Sequence, residues 1–355
     1  MKVTCESKSL LTLLKLSRLV KQDAQSLRFM GSEGNLRVVL KCLDQQYTLH
    51  IPYTGDPQVS FTIACNSIPE LLTVKGESLS FEVLSDGVEV KGDGEFVRVE
   101  GAEDNYYEDK ELPVPFMTMP EESLYNLLPT VFLKKSLHKD TVCKCSKIEI
   151  VDGTFNWINT DGVRLIHIQK PLNLVVDSPD ITQDSFSIND TVLSAIKHLK
   201  LKGKIYFGKQ GDSIFIWNSA WVIQAYDLDR FPDWRKVIPQ NRTETARVST
   251  KQLIQALKEI KVSQILLYGE GNNLYVHGEE NNKRQFKTIH TFVPMQPVSF
   301  EDAGLYQTKL LLDLLQCNPS PMTCFKFGTG FGTPLLISSA NGDWTSLLMP
   351  LRRDT

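Results

Sequence analysis

The sequence has no long apolar segment. No run among its 355 residues reaches the roughly 18 to 20 apolar residues that are needed to cross a bilayer. The first residues, MKVTCESKSLL, alternate charged and apolar side chains and lack the apolar core of a signal peptide. We therefore expect a cytoplasmic protein without a membrane partner.

Cysteine is scarce and irregularly spaced. The seven cysteines are odd in number and scattered along the chain, which argues against a disulfide framework. A single residue separates Cys143 from Cys145, whereas zinc sites usually have two or more between paired ligands, and no second Cys/His pair lies nearby. The sequence thus predicts neither a metal site nor a cofactor.

Motifs of enzymatic chemistry are missing too. The chain has no GxxxxGK[ST] phosphate loop, no HExxH, no GxSxG and no DxD-type acidic cluster. The glycine-rich stretch Gly328–Gly332 lacks the strand-to-helix context of a nucleotide-binding loop, so a hairpin turn is the better interpretation. We expect a protein that is not an enzyme, because an enzyme of nucleic-acid metabolism would need an acidic, metal-binding cluster.

Neither basic nor acidic residues are in large excess. Lysine and arginine number 39 against 42 acidic residues, for a net charge of −3, which excludes a uniformly basic nucleic-acid binder. A local basic lining stays compatible with this balance, because the placement of the charges decides which of them meet phosphates.

The chain does contain a repeated order of elements. Amphipathic helical patterns begin near residues 9, 122 and 250, and again near 66, 190 and 307, where each is followed by a strand, a tight turn and a strand. A repeat of about 115 to 125 residues has the size of a small domain. The sequence predicts an α+β protein with three tandem copies of one domain, at residues 1–114, 115–241 and 242–355.

Basic residues recur on the polar faces of these predicted helices. In the third copy, Lys251 and Lys258 lie opposite a stripe of leucine and isoleucine. If the helices of three similar domains face one way, their basic side chains form a lining that meets phosphates without reading bases. No aromatic residues are interleaved with them, so duplex DNA is the favoured partner, although for Lys197 and Lys200 plain solvation is about as plausible. The candidate DNA-facing residues are Lys15, Arg18, Lys134, Lys135, Lys197, Lys200, Lys251 and Lys258.

Three further segments combine a rigid turn with apolar and basic side chains, which is typical of a peptide-docking groove. They are Thr160–Leu165 (TDGVRL), Arg230–Val237 (RFPDWRKV) and Leu347–Arg352 (LLMPLR). Two alternatives stay open at this point. Phe231, Pro232 and Trp234 could pack a domain junction, and Arg164 could form a structural ion pair.

The same segments carry a resemblance to the bacterial DNA polymerase III β subunit, the DNA sliding clamp. TDGVRL resembles the family's TDGHRL, RFPDWRKVIP its RFPDYRRVLP, LLMPLR its VVMPMR, and the opening MKVT its MKFT. The four matches occur in order along the whole chain, together with the threefold repeat. The sequence is therefore identified as resembling a divergent sliding clamp, with a bacteriophage as the hypothetical source.

The resemblance implies a head-to-tail homodimer that closes into a ring around double-stranded DNA, with helices inside and sheets outside. The implied partners are DNA polymerase, the clamp loader and other proteins that carry a clamp-binding peptide. The implied subunit interface joins the strand around Phe96–Glu100 to the region Ile260–Tyr268. The implied peptide pocket contains Thr160, Gly162, Val163, Arg164, Leu165, Pro232, Lys236, Val237, Leu310, Leu347, Met349, Pro350, Leu351 and Arg352.

The sequence departs from the family pattern at two pocket positions. Val163 stands where the family has His, and Lys236 stands where a second Arg is usual. Arg353-Asp354-Thr355 also extends the tail. The alternative function is a peptide-binding adaptor of the same fold that does not encircle DNA.

Overall fold

The structure is a computed structural model that describes residues 1–20, 25–102, 111–131, 145–175, 183–227, 231–240, 242–280, 283–300, 303–328 and 332–352. Its helices of ten or more residues are amphipathic, and most of their leucine side chains are buried. They are α1 (Ser7–Leu16), α2 (Ile68–Leu71), α3 (Glu121–Val131), α4 (Asp190–Leu199), α5 (Trp234–Val237), α6 (Thr250–Glu259) and α7 (Thr308–Cys317). None of these helices is long and apolar enough to span a membrane.

The described strands pair in antiparallel fashion. They are β1 (Lys2–Glu6), β2 (Ser26–Ser32), β3 (Asn35–Lys41), β4 (Gln45–Gly55), β5 (Ser60–Ala64), β6 (Ser78–Leu84), β7 (Gly87–Lys91), β8 (Phe96–Val99), β9 (Met117–Pro120), β10 (Cys145–Val151), β11 (Thr154–Thr160), β12 (Arg164–Pro171), β13 (Gln183–Asn189), β14 (Lys204–Gln210), β15 (Ser213–Trp217), β16 (Trp221–Tyr226), β17 (Ala246–Ser249), β18 (Gln264–Glu280), β19 (Lys283–Val298), β20 (Gly304–Gln307), β21 (Met322–Lys326), β22 (Leu335–Ser339) and β23 (Trp344–Leu348).

One order of elements recurs three times along the chain. A strand leads directly into a helix, further strands follow, and a second helix is followed by three strands that end at β8, β16 and β23. This order confirms the predicted α+β class. Contacts divide the chain into two compact units. Unit 1 contains Met1–Leu124 and Asp190–Asp227, and unit 2 contains Tyr125–Val175 and the described parts of Thr182–Asn189 and Leu228–Thr355. The boundaries near residues 114 and 241 stay a prediction.

Unit 1 is built on a twelve-stranded sheet. Its main path runs β8-β7-β6-β1-β4-β16-β15-β14-β9, with β2, β3 and β5 joined to it through β4. The pairing of β4 with β16 joins the first copy of the repeat to the second half of the second copy. Helices α1 and α4 pack against each other, and the ring of His198 donates from Nε2 to the carbonyl oxygen of Thr12 at 3.1 Å.

Unit 2 contains an eight-stranded sheet of order β13-β10-β11-β12-β23-β22-β21-β17 and a smaller sheet of order β19-β18-β20. Strand β12 pairs with β23 from Arg164 opposite Leu348 to Ile168 opposite Trp344. Trp344 is fully buried, and its indole nitrogen donates to the carbonyl of Thr130 at 2.9 Å. The pairing of β12 with β23 thus joins the second copy of the repeat to the third.

Strand β18 folds back on itself. A side chain at Gly269 would collide with the carbonyl oxygen of Asn273, and one at Gly278 would lie 3.3 Å from that of Gln264. The two halves of β18 therefore run side by side, and the chain turns at Gly271, whose φ of +58° favours glycine. With this hairpin, the smaller sheet has the same strand order as β5, β2, β3 and β4 in unit 1.

No group of three or more His, Cys, Asp or Glu side chains suited to a metal ion occurs in the part of the chain that the structure describes. Cys143 lies outside the described residues. The prediction for Cys143 and Cys145 therefore stays a prediction.

Candidate functional site

The turn between β11 and β12 is held by its own side chains. The Asp161 carboxylate oxygen Oδ1 accepts hydrogen bonds from the backbone nitrogens of Val163 at 3.1 Å and Arg164 at 2.7 Å. The Thr160 hydroxyl donates to the carbonyl of Arg164 at 2.8 Å. Gly162 has a φ of +82°, which a side chain would disfavour. This turn presents Gly162 to solvent on a rigid support.

Arg164 is fully buried and serves the fold. Its Nε and Nη2 donate to Oδ2 of Asp161 at 2.9 and 2.7 Å, and its Nη1 donates to Asp313 of α7 at 3.1 Å. Buried charges are stable only when they are paired in this way. Because side chains alternate across a strand, the side chain of Arg164 points toward α7 and that of Leu165 points to the opposite face of the sheet.

The opposite face carries an apolar cluster. Leu165 and Leu347 are direct partners on β12 and β23, and both are buried beneath Trp234 of α5. The cluster is completed by Ile158 and Leu336, with Phe231 and Ile238 packed against it. The predicted segments Thr160–Leu165 and Leu347–Arg352 therefore meet at one apolar floor. Helix α5, which belongs to the third predicted segment, covers this floor.

Four polar side chains fix α5 on this face. The His167 ring packs against Trp234 with centroids 4.4 Å apart and ring planes inclined by 42°, and the Arg235 guanidinium lies 4.3 Å from the indole centroid. Arg235 also donates to Glu149 at 2.7 Å, and Asn156 lies 2.9 Å from Nε2 of His167. No local sequence signal identifies Glu149, Asn156 or His167 as partners of α5, because they are far from it along the chain.

The electrostatics around α5 favour a neutral His167 imidazole beside the ion pair of Glu149 and Arg235. Burial, together with the nearby charge of Arg235, lowers the pKa of His167 to about 4. Burial alone would raise the pKa of the Glu149 carboxyl, but hydrogen bonds from Arg235 and Lys147 outweigh it and hold this pKa below its usual value. At neutral pH, Glu149 is therefore ionised and His167 is uncharged.

An exposed rim surrounds the apolar floor. Val237 is 43% exposed and Met349 is 39% exposed, so both present apolar surface beside the buried cluster. The C-terminal segment is tied to the fold by hydrogen bonds from the nitrogen of Met349 to the carbonyl of Val163 at 3.0 Å and from Leu351 to Leu305 at 2.7 Å. Lys236 is highly exposed and pairs with Asp233 at 3.0 Å.

The fourteen sequence-predicted pocket residues all lie in unit 2, at three levels of exposure. The buried ones are Thr160, Arg164, Leu165, Leu310 and Leu347. The half-buried ones are Val163, Pro350 and Leu351, and the exposed ones are Gly162, Pro232, Lys236, Val237, Met349 and Arg352. Arg164 bonds to α7, the helix that also carries the buried Leu310. The Arg164 side chain therefore lies on the face of the sheet opposite the apolar floor. The assignment of the whole set to a peptide pocket stays a prediction.

The candidate DNA-facing residues are exposed wherever the structure describes them. In unit 1 these are Lys15 and Arg18, at and just beyond the end of α1, and Lys197 and Lys200, at and just beyond the end of α4. In unit 2, Lys251 and Lys258 lie on the exposed side of α6. Lys134 and Lys135 lie outside the described residues. The role of all eight in DNA binding stays a prediction.

The full chain has the fold of a DNA sliding clamp. It is similar to the DNA polymerase III β subunit of Thermotoga maritima, with a TM-score of 0.85, 14% identity and coverage of 99% of both chains. It is similar also to the DNA polymerase sliding clamp of Bacillus subtilis, with a TM-score of 0.84, 15% identity and 99% coverage of both chains. The predicted resemblance to the bacterial DNA polymerase III β subunit is thereby confirmed at the level of the fold.

A third similar structure is the Helicobacter pylori beta clamp bound to a DNA ligase peptide. Its TM-score is 0.77 at 16% identity, over 99% of this chain and 100% of that one. No protein-family model and no curated protein sequence matches the chain. The likeness to sliding clamps is therefore one of fold, at 14 to 16% sequence identity.

Proposed function

We propose that the protein is a DNA sliding clamp, a processivity factor without catalytic activity that encircles duplex DNA and tethers its partners by topology. The observation that carries this proposal is the likeness of the whole chain to sliding clamps, which covers 99% of it at a TM-score of 0.85. A closed ring combines long residence on DNA with only weak, sequence-independent attraction to it.

The strand pairing supports a head-to-tail homodimer. In unit 1 the fourth strand of one copy, β4, pairs with the last strand of the next copy, β16. In unit 2, β12 and β23 repeat this pairing. Among the described strands, β8 pairs only with β7, and β19 pairs only with β18. The last strand of the first copy, β8, and the fourth strand of the third copy, β19, therefore each keep an open edge. A second subunit would supply both missing partners and close the ring.

The subunit interface that we propose differs from the one that the resemblance implies. The region Ile260–Tyr268 was expected to meet the strand around Phe96, but Gln264–Leu267 already pair with β20. The proposed interface therefore joins β8 to the open edge of β19. Phe96 is 65% exposed on β8, and Phe286 is 66% exposed on β19.

The basic helix ends support contact with DNA. Lys15, Arg18, Lys197 and Lys200 are exposed on two helices that pack together. Lysine and arginine held in this way attract phosphates without reading bases. Sliding requires this kind of weak and uniform contact.

The site on unit 2 supports the binding of partner peptides. Its exposed Val237 and Met349 offer apolar contact area, and the exposed Lys236 and Arg352 offer positive charge to a peptide's polar or acidic groups. The Helicobacter pylori clamp of the same fold has been crystallised with a DNA ligase peptide. We propose that DNA polymerase, the clamp loader and other peptide-bearing partners share this site.

The test is retention on DNA of different topology. The protein is loaded onto a nicked circular plasmid with a bacterial clamp loader and ATP, and gel filtration follows the DNA-bound fraction before and after linearisation. We expect retention on the circle and loss from the linear form. Equal loss from both forms, with a monomer in sedimentation, would instead favour the peptide-binding adaptor.

A further inference from the structure

The repeat places an unassigned groove in unit 1 at the position that the candidate peptide site has in unit 2. The β4–β16 pairing runs over five residue pairs, from Gln45 opposite Ala225 to Leu49 opposite Trp221. The β12–β23 pairing runs over five pairs as well, from Arg164 opposite Leu348 to Ile168 opposite Trp344. Each begins beside a tight turn and ends at a buried tryptophan.

The turns themselves correspond. In unit 2 the nitrogen of Asp161 donates to the carbonyl of Arg164 at 3.2 Å. In unit 1 the nitrogen of Cys42 donates to the carbonyl of Gln45 at 2.8 Å, across the same number of residues. The residue that follows the second strand is exposed in unit 2, where it is Met349. Its counterpart in unit 1, Tyr226, closes β16 and is 53% exposed.

A groove lies at this place in unit 1. One cavity of about 190 Å³ is lined by the turn residues 41–46 and by Ser213, Gln224, Ala225 and Tyr226. A second cavity of about 310 Å³ shares Gln46 and Gln224 with the first and continues to Arg37, His50 and Leu112. The linings of the two cavities adjoin at Gln46 and Gln224 and together extend along β4 from the turn to His50. Such a shape suits an extended peptide better than a compact small molecule.

The chemistry of the groove floor differs from that in unit 2. Gln46 and Gln224 are direct partners across the strands, and they occupy the positions of Leu165 and Leu347. Carboxamides both donate and accept hydrogen bonds, so the floor fits a side chain that does the same. Gln224 is 3.5 Å from the hydroxyl of Ser213, which adds a further polar group. The exposed Leu43 and Tyr226 provide apolar contact at one end.

We propose that this groove is a second peptide-binding site, which takes an extended segment of a partner protein that places an amide side chain over Gln46 and Gln224 and an aromatic side chain against Leu43 and Tyr226. The proposal rests on the proposed function in one respect, namely that the equivalent site of unit 2 binds peptides. Each chain then offers two sites of different preference. The half-buried residue pair at the floor sets that preference, because a ligand that covers polar groups without pairing them binds weakly.

Two photo-reactive peptides test the proposal. Both carry an N-terminal benzophenone; the polar probe continues with Gly-Ser-Gln-Tyr-Gly and the apolar probe with Gly-Ser-Leu-Phe-Gly. After irradiation of the full chain, tryptic mass spectrometry locates the crosslinks. We expect the polar probe on fragments that contain residues 42–46 or 224–226, and the apolar probe on fragments that contain Leu165 or residues 347–352.

The double variant Gln46→Leu/Gln224→Leu gives unit 1 the floor of unit 2. We expect the yield of the polar probe in unit 1 to fall about tenfold, as for the loss of one or two hydrogen bonds, while the apolar probe gains a second site. Circular dichroism and sedimentation should show an unchanged fold and oligomer, because leucine pairs already occupy the equivalent place in unit 2.

The outcomes separate the two proposals. A polar probe that labels unit 1 no more than a scrambled peptide, or equally in the wild type and the double variant, overturns the second site. An apolar probe that fails to label unit 2 overturns the peptide site of the proposed function, whatever the polar probe does. Labelling of unit 1 by the polar probe that the double variant loses supports the second site in either case.

Discussion

The guanidinium of Arg164 and the carboxylate of Asp161 form a fully buried ion pair, with Nε and Nη2 at 2.9 and 2.7 Å from Oδ2. Asp161 also accepts the two backbone bonds that shape the turn. One carboxylate thus orders the turn and neutralises the buried cation. This pairing agrees with the structural alternative that the sequence left open for Arg164.

Removing the carboxylate should therefore destabilise unit 2. Asp161→Ala leaves the Arg164 guanidinium buried with Asp313 as its remaining acidic partner at 3.1 Å. We expect a loss of about 3 to 5 kcal/mol, the usual cost of breaking a buried pair, measured by urea unfolding. Asp313→Asn is the matched control and should cost less, because Asp313 is partly exposed. Equal and small effects of both changes would contradict a structural role for the pair.

Much of the fold was predictable because helices and hairpins have local signals. The leucine stripe of α1 and the Asp-Gly turn at residues 86–87 are properties of a few neighbouring residues. Strands β1, β9 and β17 escaped prediction. They have four or five residues and run straight into a helix, so only their pairing with distant strands defines them.

The candidate site was predictable in part for the same reason. Leu165 and Leu347 were found through sequence motifs, and the structure makes them direct partners. The contact that holds α5 on the sheet was not predictable, because Glu149 and Arg235 are 86 residues apart along the chain and meet only in the folded sheet. The opposite orientations of Arg164 and Leu165 follow from strand alternation once β12 is known to begin at Arg164.

The exposed rim of the candidate site offers a clean test of peptide binding. Met349→Ala with Val237→Ala removes apolar contact area without opening the core, whereas Leu165→Ala would create a cavity in a buried cluster. We expect the affinity for a polymerase-tail peptide to fall at least about tenfold, for a loss of 1.4 kcal/mol or more. Isothermal titration calorimetry measures it, with Val114→Ala as an exposed apolar control outside the site. Affinity equal to that of the wild type would place the peptide elsewhere.

The burial of His167 beside the charge of Arg235 predicts a pH dependence of stability. The pKa of His167 is about 4 in the folded chain and about 6.5 in an unfolded one. The unfolded state therefore binds the extra proton between these values. Stability from this group is fully present above about pH 6.5 and is lost as the pH falls toward 4.

His167→Gln should remove this dependence. Between pH 7.5 and pH 5 the free energy of unfolding of the wild type should fall by about 2 kcal/mol more than that of the variant. The partial exposure of the His167 ring to solvent reduces this difference. Thermal unfolding of both proteins at the two pH values measures the difference. Working above pH 5 keeps the titration of Glu149 out of the comparison, since its pKa is lowered from an already acidic value. Parallel losses in the two proteins would show that His167 is not the group responsible.

The open edge of β8 should be required for dimerisation. Phe96→Asp places a charge on an apolar side chain that is 65% exposed at that edge, so burial in an interface would cost the desolvation of a carboxylate. We expect sedimentation equilibrium to shift from a dimer to a monomer of 40.2 kDa. Val114→Asp, at an 89% exposed position outside the described strands, should leave the dimer intact. A dimeric Phe96→Asp protein would move the interface away from β8.

The basic ends of α1 and α4 should govern the salt dependence of DNA binding. Lys15→Glu with Arg18→Glu reverses two exposed charges beside the equally exposed Lys200. Each lost phosphate contact lowers the slope of log K against log salt by about 0.9, so we expect the slope to fall by about two and the affinity at low salt to drop. Fluorescence anisotropy of a short duplex over a range of salt concentrations measures both quantities. Lys2→Glu with Lys75→Glu, at two exposed lysines outside the helices, is the matched control for net charge. If it lowered the slope as much, the attraction would depend on the total charge of the protein and not on a lining formed by these helices.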